Sequence, residues 1–271
     1  MTAEAPGLDP IEETSLMVAC FRAAESRRPD ALVRDPFAVE IAETRLGAAK
    51  RAQYTGSPLF ATTVDLLACR TRVLDERLLA WAVSEDPPGI DQLVNLGAGV
   101  DSRPYRLPFP PGTAIFPVDS AAVVAWAAGF FGHRPALARV VPVAADLGDP
   151  ADLLGRLAGA GVQLSRPVGW VLEGVLEFLG RSVAPGLLAA LTAAAAPGSR
   201  LIAAVLDPAL VAFARERGDA GFPWKRLVSL ETVLSWLSGW DLSVLSGEAM
   251  EARFGREVAG LFHIVEGRRL P

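Results

Sequence analysis

Apolar positions along the chain change their rhythm near residue 90. Before it they recur at helical spacing. Leu16, Met17, Ala19, Cys20 and Ala23 predict a helix that the Thr14 hydroxyl can cap. Asp35-Pro36 predicts a second helix start, with an acidic cap followed by proline at the first helical position. Thr62 to about Val83 predicts a longer helix. From Asp91 onward the apolar residues gather into short runs. Gln92–Leu96 ends at Gly97, as a buried strand entering a tight turn should, and similar runs stand at Ala114–Val118, Arg139–Val143, Val168–Leu172 and Leu201–Leu206. Helical patterns separate most of them, which predicts βαβ crossovers and a parallel sheet covered on both faces. Trp240–Leu245 and Leu261–Glu266 lie closer together and predict a final antiparallel pair.

Composition narrows the class. With 271 residues, 51% apolar and 21% charged, the chain can bury a sizeable core, so disorder is excluded as a general state. A net charge of −5 argues against a general nucleic-acid binder, which carries a basic field. The acidic N-terminus lacks the pattern of a signal peptide, and the longest apolar runs, Ala121–Gly132 and Leu187–Ala196, fall short of the roughly 20 residues that cross a bilayer. A cytoplasmic protein without membrane partners is expected. Cys20 and Cys69 have neither metal-ligand nor disulfide-framework spacing and read as core thiols, and no metal cluster is expected.

The most informative segment is Val94-Asn-Leu-Gly97-Ala98-Gly99-Val100-Asp101-Ser102. A strand running into Gly-x-Gly lets the backbone approach a ligand closely, because missing Cβ atoms permit both the turn and the approach. At the end of the next predicted strand, 22 positions after Gly97, stands Asp119, where a carboxylate can accept from both ribose hydroxyls of an adenosine ligand. A dinucleotide site wants a third glycine where Ser102 stands. Asp101 adds a negative charge that repels pyrophosphate but tolerates a sulfonium and an amino group. These features favour S-adenosylmethionine over NAD.

Several blocks in order resemble the leucine carboxyl methyltransferase-like O-methyltransferases, including bacterial members of natural-product type. They are Thr14 to Glu25, Asp35-Pro36, Arg70-Thr-Arg72-Val-Leu-Asp75, Asn95 to Leu107, Val118-Asp119, Ala145-Asp146-Leu147 and Trp170-Val-Leu-Glu173 to Leu179. The resemblance implies a class I methyltransferase, Rossmann-like α/β fold. Its sheet would be mostly parallel with an antiparallel last strand, in a single domain with a helical cap over 1–90, a core over 91–271 and an insertion near 207–226. It also implies roles for individual residues. Arg72 would pair with the methionyl carboxylate, and Arg22 would supply a second basic group from the cap. Gly97, with Ala98 and Gly99, would line the methionine portion. Asp119, beside Ser120, would hold the ribose. Asp146 and Leu147 would flank adenine. Glu173, beside Gly174, would face the methionine amino group. The helix after Asp119 is more apolar than the family pattern, and beyond Leu179 the likeness fades. Arg103 and Arg106 read as structural ion-pair residues.

The acceptor is the least determined part. A phenol or alcohol usually needs a general base, whereas a carboxylate is already ionised at neutral pH. His133 and His263 are the chain's two histidines, and neither is placed by the pattern as a methyl-pocket base. That tilts the expectation towards carboxyl methylation of a small, polyketide-like molecule, with a hydroxyl acceptor still open. The runner-up is a protein of the same fold that binds the cofactor for a cyclisation or rearrangement, with Gly221-Phe-Pro-Trp224 as a hydrophobic shield. The pattern leaves the oligomeric state open.

Overall fold

A computed structural model describes residues 10–84, 89–219, 227–258 and 260–271. The segment Gly221-Phe-Pro-Trp224 lies outside the described residues. Four helices come first: α1 (Pro10–Ser26), α2 (Pro36–Thr44), α3 (Ala48–Thr55) and α4 (Phe60–Val83). Asp35 caps α2 as its sequence predicts, its carboxylate accepting from the Ala38 amide with Pro36 in the first turn. Thr14 does not cap α1. That helix begins four residues earlier at Pro10, a residue pre-set for a first turn.

The sheet then builds through β1 (Gln92–Leu96), α5 (Arg103–Arg106), β2 (Ala114–Asp119), α6 (Ala121–Phe131), β3 (Arg139–Val140), β4 (Val143–Ala144), α7 (Pro150–Gly159) and β5 (Gly169–Leu172). It ends with α8 (Leu176–Ala194), β6 (Arg200–Leu206), α9 (Ala209–Glu216), α10 (Leu230–Ser235), β7 (Trp240–Leu245), α11 (Gly247–Phe254) and β8 (Phe262–Arg269). Among the described residues the strands run β3-β2-β1-β5-β6-β8-β7, with β4 also on β2. The first five neighbours are parallel, while β8 pairs antiparallel with both β6 and β7. The run Arg139–Val143, expected as one strand, is split into β3 and β4. Pro142 stands between them, and a proline has no N–H for a ladder.

Every residue of β1 is buried, so its apolar run hides a simple alternation. Val94 and Leu96 join Phe116, Trp170 and Leu172 in the core under α7 and α8, while Leu93 joins Ile115, Val171 and Ile202 in the core under α4. The helical first third is therefore more than a cap: α4 covers one face of the sheet. Parity also sends Asn95, and Glu173 just beyond β5, to that same α4 face. Asn95 and Val171 are register partners, so Glu173 emerges beside Gly97.

Candidate functional site

A cavity partly open to solvent lies between the C-terminal edge of the sheet and helices α1, α4 and α9. The sheet contributes Asn95, Gly97, Ala98, Gly99, Glu173 and Gly174; α1 contributes Ser15 and Arg22; α4 contributes Arg70. The rest of the lining is largely apolar, including Met17, Phe21, Leu66, Leu67, Phe178 and Phe213. The glycines belong to the geometry. Gly97 and Gly99 have φ of +66° and +55°, and a Cβ on them would stand 2.9 Å from Val175 Cγ2 and 2.7 Å from Ser15 Oγ. A side chain there would be strained and would run into those two residues.

Asp119 ends β2 on the other side of the same turn. Its Oδ2 accepts from the Gly99 amide at 2.8 Å and its Oδ1 from the Ser120 amide at 2.8 Å, so the acid fixes the turn's shape. It lines a second cavity, between β2 and α6, that shares Ala98 and Gly99 with the first. Ser120 is exposed and caps α6, accepting from the Val123 amide. Asp146 is exposed, with Oδ1 on the Gly148 amide, and lines neither cavity. Leu147 does approach the turn, its Cδ1 standing 4.0 Å from where a Gly97 Cβ would be.

Arg72 is a correction. Its side chain is 49% exposed on the outer face of α4, where Nε donates to Glu76 at 2.7 Å. One position set apart from it by half a turn, Arg70, faces the sheet with Leu67 and Leu74 and enters the cavity. The physical reason is helical phase: residues two apart lie on opposite faces. The signal was available, because Arg70 continues the buried i, i+3, i+4 stripe through Leu66, Leu67, Val73 and Leu74.

Glu173 is also used differently from the expectation. Its Oε1 accepts from Arg22 Nη2 at 3.1 Å and Arg70 Nε at 3.0 Å, and its Oε2 pairs with Arg103 Nη1 at 2.6 Å. Burial alone would raise its pKa, but Arg103, Arg70 and Arg22 together hold the carboxyl well below the usual range. A carboxylate already ringed by three guanidiniums is a poor partner for an incoming ammonium. It instead fixes Arg22 and Arg70 at the cavity wall. Arg103, 1% exposed, also pairs with Asp75 and Asp101, and Arg106 pairs with Asp75. The structural reading of those two arginines is what the geometry shows.

A residue that the sequence pattern did not single out is Glu177, in the first turn of α8. It is 6% exposed, lines the cavity, and neither Oε1 nor Oε2 has a hydrogen-bond partner. Burial pushes its carboxyl up to about 7, with Glu173 adding to the rise and its own backbone amide and Arg70 only partly offsetting it. An acid inside the otherwise apolar Val175-Leu-Glu-Phe-Leu179 run was the available signal. Gly180, at φ +59°, kinks the helix directly afterwards, so this first turn follows the cavity wall and not the long axis of α8. His133 is exposed beyond α6, and His263 sits in β8 with Nε2 4.0 Å from Asp207; neither lines a cavity.

A parallel sheet ending in antiparallel strands, a glycine turn after β1 and an acid ending β2 define the class I S-adenosylmethionine-dependent methyltransferase fold. The chain belongs to the leucine carboxyl methyltransferase family, which matches residues 15–192. It is 39% identical over 197 residues to a candidate S-adenosyl-L-methionine-dependent methyltransferase of Mycobacteroides abscessus, covering 69% of this chain and 64% of that one. To another of Mycolicibacterium vanbaalenii it is 32% identical over 273 residues, covering 90% and 87%. Among solved structures, a candidate methyltransferase of Thermobifida fusca superposes with a TM-score of 0.67 at 19% identity, covering 100% of each chain. Among the described residues no helix is long and apolar enough to cross a membrane.

Proposed function

We propose that this protein transfers the methyl group of S-adenosylmethionine to an oxygen of a small, largely apolar molecule, and that the oxygen is a carboxylate. The observation that carries the reading is the single cavity running from the glycine turn, Arg22 and Arg70 to an apolar chamber under α1, α4 and α9. The polar end has what the cofactor requires of its host: a glycine turn whose backbone lines the cavity, two guanidiniums for a carboxylate, and buried acceptors without partners. When bound, the cofactor supplies an already activated methyl group. The chain's own task is to align the acceptor and exclude water, and alignment alone contributes several kcal/mol. Residues 1–271 are read as one methyltransferase domain, its apolar chamber taking the acceptor.

Ionisation favours a carboxyl acceptor over a hydroxyl. A carboxylic acid is charged near pH 7 and needs no base, and no histidine among the described residues lines the chamber. The test is transfer of an isotopically labelled methyl group to a panel of apolar acids and phenols, followed by mild alkali. The expected product is a methyl ester that alkali cleaves. An alkali-stable ether would move the acceptor to a hydroxyl, and transfer only to nitrogen would end the oxygen reading.

Asp119 gives a second check. Asp119→Ala should weaken binding of S-adenosylhomocysteine by about 1.5–3 kcal/mol, the range of a lost charge-assisted hydrogen bond. Calorimetry showing unchanged affinity would remove Asp119 from the site. Because the acid would hold ribose, 5′-methylthioadenosine should lose affinity to the same extent.

A further inference from the structure

Glu177 is the one buried carboxylate at the cavity whose oxygens accept no hydrogen bond from another residue among the described ones, its own backbone amide and the Arg70 charge only partly offsetting its burial. Leaving such a group unpaired costs free energy that an apolar side chain would avoid, so a partner from outside is the economical explanation. Its surroundings indicate the partner's chemistry. From the position a Gly174 Cβ would occupy, Arg70 Nη1 is 3.0 Å away and Glu177 Oε1 is 3.5 Å away, so the two atoms are at most 3.0 Å plus 3.5 Å apart. A guanidinium and a carboxylate at that spacing match the two ends of one α-amino acid, each reached by a hydrogen bond of about 2.9 Å. Arg22 Nε, also buried and without a partner, stands at the same end of the cavity. Asn95, which lines the same cavity, also has a buried Oδ1 without a partner, its orientation fixed because Nδ2 donates to the Asp101 carboxylate at 2.8 Å. An ammonium has three N–H groups to place, and the Glu177 carboxylate offers it an acceptor.

We propose that Glu177 is the anionic partner of the cofactor's α-ammonium group, and that Arg70 and Arg22 take its α-carboxylate while Glu173 only holds those two guanidiniums in place. The assignment rests on the cofactor reading above and deepens it. Glu173 cannot do the same work: its oxygens are committed to Arg22, Arg70 and Arg103, and a cation arriving there would meet three like charges. The groups facing Glu177 are Arg70 from α4 and Glu173 from the end of β5, with Arg22 of α1 and Arg103 bonded to Glu173. Burial holds the Glu177 carboxyl up to about 7, and an ammonium beside it favours its ionised form.

The experiment is calorimetry at pH 7.5 with two probes, S-adenosylhomocysteine and 5′-methylthioadenosine, which lacks the amino-acid end. Glu177→Gln should weaken the first about 10- to 100-fold, the range for a hydrogen bond to a charged group, and leave the second within about twofold. Between pH 6 and 8 the parent's affinity for S-adenosylhomocysteine should rise as Glu177 ionises, and the variant's should stay flat. Thermal melting without ligand reports on folding. The folded protein keeps the Glu177 proton to about pH 7, whereas the unfolded chain releases it near the ordinary glutamate value. Parent stability therefore falls with rising pH across that window, and Glu177→Gln should melt higher than the parent at pH 8. Unchanged affinity for S-adenosylhomocysteine in the variant overturns the proposal alone, and turns Glu177 towards the methyl acceptor. Equal losses for both probes with a lower melting temperature make it a packing residue and also overturn it. A parent protein that binds neither probe overturns the cofactor reading and this proposal together.

Discussion

Replacing Arg103 by alanine is expected to destabilise the protein by about 3–5 kcal/mol, the cost of removing one partner from a buried ion network. At roughly 2–4 °C per kcal/mol for a domain of this size, the melting temperature should fall by about 10 °C. Its side chain is 1% exposed and joins three acids that come from different parts of the chain: Asp75 on α4, Asp101 after the glycine turn and Glu173 beyond β5. Without the guanidinium, Glu173 keeps Arg22 and Arg70, and Asp75 keeps Arg106, but Asp101 is left with the Asn95 amide and backbone alone. Calorimetric unfolding measures the loss. A change below about 1 kcal/mol would mean that water replaces the guanidinium, and that the glycine turn is held by Asp119 without help from the network.

Arg70→Ala should weaken S-adenosylhomocysteine about 100-fold, whereas Arg72→Ala should leave it within about twofold. Arg70 is buried, lines the cavity and is aimed by Glu173, while Arg72 sits at the surface with Glu76. Loss of a charge-assisted pair to a carboxylate in a largely buried site has that size. Arg70→Lys should recover little, since an ammonium cannot serve Glu173 through one N–H and the ligand through the others in the same plane. Binding of 5′-methylthioadenosine, which has no carboxylate, should survive both alanine substitutions. The opposite pattern, with Arg72 the sensitive position, would reject an α4 that turns Arg70 inward. Melting curves for the Arg70 variants separate affinity from folding, because Glu173 retains two of its three guanidiniums.

Much of the architecture was written locally. The apolar runs that become β1, β2, β5 and β6 are continuous because helices cover both sheet faces, and the run length sets a strand apart from a helix. Asp35-Pro36 states its cap outright, and Gly97-Ala-Gly99 announces a turn at positive φ, which glycine adopts without steric cost. The Trp240–Leu245 and Leu261–Glu266 runs gave the antiparallel end, although β8 also enters between β6 and β7, an order that spacing along the chain does not encode.

The site divides along the same line. Which residues stand at the sheet edge, Gly97, Gly99, Asp119 and Glu173, follows from where the strands stop, and a strand's end is a local event. Which charges face inward and whom they meet does not. The apolar stripe of α4 marks Arg70, and not Arg72, as the inward arginine, but only the packing of α4 on the sheet brings Arg70 to Glu173 and leaves Arg72 exposed beside Glu76. Glu173 meets Arg70 across 103 positions and Arg22 across 151, so its saturation, and the isolation of Glu177 four residues on, exist only once the chain has folded. The sequence by itself determined the strand order's raw material, the turn and the chemistry available at the sheet's edge, because those depend on neighbours a few residues apart. Tertiary structure alone decided which acid is satisfied and which remains to be paired, because electrostatic partners are set by distance in space.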